Sequence, residues 1–145
     1  MSTITCSYDR IEFIGEHAWR WQGNLIFVIY CDEIEEQLVL KWIATHSIPD
    51  RIMLVLHIVS SSYRAKVFPI NKLRNLGITN VRTTHYVVMD MDMWPVRTLF
   101  DEVQKAPLDV LKNPMSAIII PLMFFNQDRI LGFCSSFESC MRRYV

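Results

Sequence analysis

Apolar runs alternate with segments of helical periodicity along most of the chain. Residues 3–7 (Thr3-Ile4-Thr5-Cys6-Ser7) are rich in β-branched side chains and predict a first strand. From Arg10 to Trp21 the apolar residues fall at Ile11, Ile14, Ala18 and Trp21, a spacing that predicts a helix. Gln22-Gly23-Asn24 ends it with turn chemistry. Leu25 to Tyr30 is unbroken apolar sequence, as in a strand covered on both faces. Asp32 is placed to cap a helix from Glu33 to His46, with Ile34, Leu38, Trp42 and Ile43 expected on its inner side. Ile48-Pro49-Asp50 breaks that pattern, and Arg51 to Val59 predicts a third strand followed by a polar loop over 60–66. Pro69 suits the first turn of a helix with Ile70, Leu73 and Leu76 as its stripe, which Gly77 is expected to weaken or end. Thr84 to Asp90 predicts a fourth strand and Val96 to Lys105 a short helix, with Pro107 opening a loop. Ser116 to Ile120 predicts a fifth strand, and Ser135 to Tyr144 a last helix with Ser136 at its N-cap. Strands alternating with helices predict an α/β fold with a mostly parallel, doubly wound sheet flanked by helices.

Composition narrows the classes. A length of 145 residues fits one domain over 1–145. The hydrophobic fraction of 51% argues against disorder. Lys and Arg total 15, as do Asp and Glu, so no basic excess marks a nucleic-acid surface. An anionic ligand must then be held by local groups, either a metal ion or single arginines. The four cysteines, Cys6, Cys31, Cys134 and Cys140, form no CxxC and show no zinc-like spacing. Free thiols and a single disulfide such as Cys134–Cys140 are both compatible with that pattern. The longest apolar stretch, Ala117 to Phe125, is interrupted by Pro121 and falls short of the roughly 20 residues that span a bilayer. No signal-peptide pattern opens the chain. The start in a strand and the end just after a helical pattern lead us to expect a C-terminally truncated domain, with any anchor or second half outside this sequence.

The candidate chemistry lies at the end of the fourth strand. In an extended segment Asp90 and Asp92 share one side and Met91 points to the other. Paired oxygen ligands suit a hard cation such as magnesium or manganese. The bland alternative is a loop with two solvated acids. Upstream, Asn71 and Arg74 lie one helical turn apart, with Asn75 beside them. An arginine there can fork to a phosphate or a carboxylate, and a solvated polar face is the alternative. His57 and His85 read as structural histidines. Trp94 either flanks a ligand or packs under the loop.

The combination Phe68-Pro69-Ile70-Asn71-x-Leu73-Arg74-Asn75-Leu76-Gly77, then Val81-x-Thr83, then Met89-Asp90-x-Asp92-x-x-Pro95 resembles glycosyltransferase family 49, which includes β-glucuronyltransferases. Asp9-Arg10, Trp21-Gln22-Gly23, Ile118-Ile119-Ile120-Pro121 and Cys134-x-x-Phe137-Glu138-x-Cys140 extend the likeness across nearly the whole chain. The resemblance implies a GT-A-like, Rossmann-type fold, a UDP-sugar donor and a glycan acceptor. It implies manganese, or magnesium, on Asp90 and Asp92. It places Asn71, Arg74, Asn75 and Asp90 near the donor, with Thr5, Cys6, Ser7 and Arg10 along the nucleotide. It further implies a membrane-anchored Golgi enzyme acting on the lumenal side. The sequence departs from the family pattern at Phe124, where an acidic residue is usual, and Asp128 and Glu138 are the only later carboxylate candidates for a base. Two rival readings follow: a truncated, inactive domain that binds a partner, and a phosphoryl-transfer domain. The second lacks any Gly-rich phosphate loop.

Overall fold

A computed structural model describes residues 1–63, 67–116 and 118–122. Four strands, β1 (Ser2–Ser7), β2 (Leu25–Asp32), β3 (Ile52–Val59) and β4 (Val87–Asp90), form one sheet in the order β3-β2-β1-β4, and every neighbouring pair is parallel. A 3-10 turn (Tyr8–Phe13) and α1 (Ile14–Arg20) join β1 to β2, α2 (Glu33–Thr45) joins β2 to β3, and α3 (Ile70–Thr79) lies between β3 and β4. The α/β architecture with a parallel sheet expected from the alternation is therefore present, and it is consistent with the GT-A-like fold that the resemblance implies.

The two faces of β2 explain its unbroken apolar run. Ile26, Val28 and Tyr30 are buried with Leu73 of α3, and Phe68 and Leu76 pack against that cluster. Phe27 points the other way and meets the His17 ring of α1 edge-on, 6.1 Å between centroids. Because both faces are covered, Leu25 to Cys31 is wholly buried.

Register carries this division to the neighbouring strands. Thr3 and Thr5 of β1 lie beside Ile26 and Val28 of β2, and beside Val88 and Asp90 of β4. That row faces α3. A Cβ at Gly77 would lie 2.0 Å from Thr3 Oγ1, 3.2 Å from Thr3 Cβ and 3.3 Å from Val28 Cγ2. Gly77 therefore does not end the helix, which continues to Thr79. At Gly77 α3 approaches the sheet closely, and the missing side chain makes that approach possible.

Several expected boundaries shift for identifiable reasons. β4 begins at Val87, not Thr84, because β1 begins at Ser2, opposite Val87, and offers no earlier ladder partner. In α2 the buried residues are Val39 and Trp42, while Ile34 and Leu38 are exposed. The helix starts directly from the last residue of β2. Asp32 accepts from the Ile34 and Glu35 amides at 3.0 and 2.9 Å, and Glu35 accepts in return from the Asp32 amide at 3.0 Å. This capping box fixes where the helix begins. The first predicted helix is divided between the 3-10 turn and α1, whose C-terminal end is held by Arg51 at the start of the third strand. Arg51 donates to the carbonyls of Ala18, Trp21 and Gly23 at 2.5, 2.8 and 3.1 Å, satisfying oxygens that a helix end leaves unpaired.

The chain divides into two compact units, Met1–Pro95 and Val96–Val145. The described elements of the second are α4 (Leu99–Gln104) and α5 (Leu108–Lys112). Pro107 opens α5 instead of a loop, its carbonyl accepting from the Leu111 amide at 3.1 Å. Ser116 and Ile118 to Ile120 are not strand, and Ile119 is 88% exposed. A β-branched run becomes a strand only where a ladder partner takes its hydrogen bonds, and this run, set between Pro114 and Pro121, has none among the described residues. The last predicted helix, with Phe124, Asp128, Cys134, Glu138 and Cys140, lies outside the described residues. Cys6 and Cys31 are buried.

The Gly77 contact yields a direct test. Alanine has the better helix propensity by about 1 kcal/mol, yet overpacking a close contact costs about 1–3 kcal/mol. Gly77→Ala is expected to destabilise the fold in urea unfolding. The double variant with Thr3→Ala should show favourable coupling of about 1 kcal/mol or more, as contacting sites do. Simple additivity would remove the contact from the account.

Candidate functional site

From β1 the chain steps outward to β2 and β3, then crosses back through α3 to β4 on the other side of β1, so the sheet has its topological switch between β1 and β4. Ligands of open α/β sheets bind at such a switch, beyond the carboxyl ends of the strands. A cleft of about 390 Å³ lies there. The ends of β1 and β4 contribute Thr5, Cys6, Asp90 and Asp92, the 3-10 turn contributes Asp9 and Arg10, and the approach to α3 contributes Phe68 and Ile70.

Of the candidates from sequence, Thr5, Arg10, Asp90 and Asp92 thus line one cleft. Arg74 joins them through Asp90. Its Nη2 donates to both carboxylate oxygens, at 2.6 and 2.8 Å. Both side chains are about one-third exposed, at 34% and 28%. Asn71 and Asn75 are exposed on α3 and do not line the cleft. Two polar atoms are buried with no hydrogen-bond partner, Thr5 Oγ1 at the cleft and Nε of Arg74, the partner of Asp90. Unsatisfied groups of this kind are rare in folded proteins and call for an explanation such as a ligand.

The two aspartates reach the same cleft by a different route from the one expected. β4 stops at Asp90, and the Asp90 carbonyl accepts from the Met93 amide at 3.0 Å, closing a turn over Asp90–Met93. Asp90 and Asp92 are therefore brought together by a turn and not by strand alternation. Met91 is buried, as expected, at 2% exposure, and Asp92 is exposed.

Beneath this turn lies a layer absent from the sequence reading. His17 of α1 is fully buried, and its Nε2 is 2.9 Å from the carbonyl oxygen of Met91. A carbonyl only accepts, so Nε2 carries the proton. The ring stacks on Trp94, 4.7 Å between centroids and 15° between planes, and Phe13 meets the same indole edge-on at 5.4 Å. Trp94 thus packs under the loop. Arg20, also buried, is paired with Glu16 at 2.6 Å and donates to the Pro95 carbonyl at 3.4 Å. The signal in the sequence was a histidine set between Ile14 and Ala18 on the inner face of the helix, where a polar residue needs a buried partner.

The electrostatics separate reactive from inert groups. Burial, reinforced by the negative charge of Asp9, pushes the Cys6 thiol up to about 12, so it stays protonated and is no nucleophile. Burial lowers the pKa of His17, with the Arg20 charge adding to the effect while the Met91 hydrogen bond and the Glu16 and Asp92 charges oppose it. His57 lies on the edge strand β3, stacked at 6.1 Å on Tyr30, and burial together with Lys72 lowers its pKa. It does not line the cleft. His85 contacts Thr84 Oγ1 at 3.0 Å through Nδ1 and is likewise not at the cleft.

Among the described residues no three His, Cys, Asp or Glu side chains gather into a metal-binding group. The donors at the cleft are hard oxygens, with Asp90 already neutralised by Arg74. Magnesium-like ions accept one or two carboxylates when phosphates and water complete their sphere. The residues therefore fit a cation that arrives together with a phosphorylated ligand, and do not form a closed metal cage.

No family model matches the chain. Curated relatives do. The xylosyl- and glucuronyltransferase LARGE2s of Danio rerio is 26% identical over 117 residues, which cover 79% of this chain and 15% of the relative. LARGE1 of Homo sapiens is 25% identical over 117 residues, with the same coverage, and LARGE2 of Rattus norvegicus is 25% identical over 121 residues, 79% of this chain and 17% of the relative. The resemblance is to glycosyltransferases. This chain spans only 15–17% of the length of these relatives.

The buried imidazole gives stability a predictable pH dependence. His17 titrates below its ordinary value of 6.5 in the folded chain. Between its folded pKa and 6.5 the unfolded chain binds more protons, so the stability present above pH 6.5 is lost as pH falls through that window. Urea unfolding from pH 7.5 to 5 should show this loss. His17→Gln should flatten the curve by up to about 1.4 kcal/mol per pH unit, the limit for one proton. Parallel curves would assign the acid sensitivity to other groups, such as His57.

Proposed function

We propose that this chain forms the nucleotide-sugar-binding part of a metal-dependent glycosyltransferase of the family 49 kind. The donor is a UDP-sugar, with glucuronic acid the favoured sugar, and the acceptor is a glycan carried on a glycoprotein. The observation that carries this reading is the pair of aspartates turned into a cleft at the β1/β4 switch. The names of the relatives, xylosyl- and glucuronyltransferases, support the reaction class and include glucuronyl transfer. No helix among the described residues is long and apolar enough to cross a membrane. A Golgi-lumenal setting for the whole protein rests on the family resemblance.

In this reading Asp92, with Asp90 beside it, holds manganese or magnesium. The ion would offset the charge that develops on the departing diphosphate. Asp90 is held by Arg74. Thr5 and Arg10 line the nucleotide side. Asn71 and Asn75 are assigned an outer position, toward the part of the ligand that projects from the cleft. Cys6, a protonated thiol, supplies packing only.

One observation favours a second reading. Arg74 engages both oxygens of Asp90, a pairing that also suits a domain that has kept the fold and binds a partner without turnover. Calorimetry with UDP and manganese distinguishes the two. The wild-type chain should bind UDP in a manganese-dependent manner, and Asp92→Asn should lose at least tenfold in affinity, the lower end of the usual range for disturbing a metal site. If neither protein binds, the partner-binding reading takes its place.

A further inference from the structure

We propose that His17 is a positioning residue for the metal-binding turn, fixing the peptide between the two aspartates so that Asp92 is held in its binding geometry. The inference rests on the metal–nucleotide reading of the cleft. Three observations carry it.

First, the contact falls on the one peptide that matters. The carbonyl at 2.9 Å from His17 Nε2 belongs to Met91, the residue between Asp90 and Asp92. A hydrogen bond to that oxygen sets the orientation of the Met91–Asp92 peptide, and with it the direction in which the Asp92 side chain leaves the backbone.

Second, the imidazole itself is immobilised. It is fully buried, stacked on Trp94 at 4.7 Å on one side and in edge contact with Phe27 at 6.1 Å. Phe27 belongs to the central strand, so the ring is referenced to the rigid sheet and not to a loop. Trp94 belongs to the segment being held, two residues beyond Asp92.

Third, the arrangement carries a cost that packing alone does not explain. Nδ1 of His17 is buried and has no partner. A buried polar atom left unpaired costs about 1–3 kcal/mol. A phenylalanine of similar shape would avoid that cost in the same aromatic stack. What phenylalanine cannot supply is the donor to Met91.

The test compares variants of the full 145-residue chain. UDP affinity is measured by calorimetry with manganese and again with EDTA, and the ratio of the two affinities is read alongside the metal-free melting temperature. A purely structural role would lower both affinities together. A positioning role lowers the ratio. His17→Phe keeps the stack and loses the donor, so the ratio should fall about 10- to 100-fold, as for residues that orient metal ligands. His17→Gln, whose amide can reach the carbonyl, should keep the ratio within about threefold of wild type, a margin well inside that range. If the phenylalanine variant does not fold, His17→Gln is compared with the one-methylene-shorter His17→Asn, which should lose the ratio that glutamine keeps. An unchanged ratio in His17→Phe, or equal ratios in the Gln and Asn variants, overturns the role of His17 while leaving the metal reading intact. A wild-type chain with no manganese dependence at all sinks both.

Discussion

At Gly77 and Thr3 α3 comes close against β1, and the geometry of the cleft follows from that approach. Parallel strands joined through a helix require that helix to run back against the strand direction. From Gly77, three residues toward the start of α3 is a rise of about 4.5 Å. From Thr3, two residues toward the end of β1 is about 6.6 Å. The first step arrives at Arg74 and the second at Thr5, whose ladder neighbour is Asp90. The long arginine side chain spans the difference. Were α3 held a side chain's thickness farther from the sheet, the same guanidinium would no longer fork across Asp90. A glycine that looks like a flaw in a helix is therefore what sets the distance at which the cleft is wired.

The aspartate-bearing turn is held from both faces of the sheet by different physics. On the α3 face the hold is ionic and half-exposed, through Arg74 and Asp90, and pairs of that kind contribute little to overall stability. Their value lies in position, since one nitrogen bonded to both oxygens holds the carboxylate end toward the guanidinium. On the α1 face the hold is buried and largely uncharged, through His17, Trp94 and Phe13, with Arg20 fastening Pro95 where the loop leaves the sheet. The exposed side is free to exchange partners with a ligand. The buried side is not.

Much of this was legible in the sequence, and the exceptions share a cause. The apolar run of β2 and the cap at Asp32 depend on local chemistry and were readable from a few adjacent residues. So was the arrival of Asp90 and Asp92 at a strand end. The phase of α2, the short β4 and, among the described residues, the lack of strand at Ser116 and Ile118 to Ile120 each depend on a partner that is distant in sequence. The role of Gly77 became visible only once Thr3 stood opposite it. His17 is the sharpest case. Its place on the inner face of α1 was visible as a pattern, but its partner lies 74 residues away, and no spacing rule joins the two. The aspartates were expected to share a side because strands alternate, and they do share a cleft, through a turn that strand geometry does not describe.

The charges at the cleft argue for how an anionic ligand is admitted. Arg74 and Asp90 cancel, and Asp9 lies on the same turn as Arg10, so the uncancelled formal charge is that of exposed Asp92. A site with that balance repels a bare diphosphate, and the chain as a whole, with 15 cationic and 15 anionic side chains, supplies no compensating field. A divalent cation reverses the sign locally, turning a net −1 into a net +1 at the point where the phosphates must sit. Under the proposed function, ion and nucleotide are then strongly coupled ligands, each binding poorly without the other. On that reading, this is the thermodynamic form that a partial coordination sphere of two carboxylates imposes, and the site would become a metal site only when its substrate is counted among the ligands.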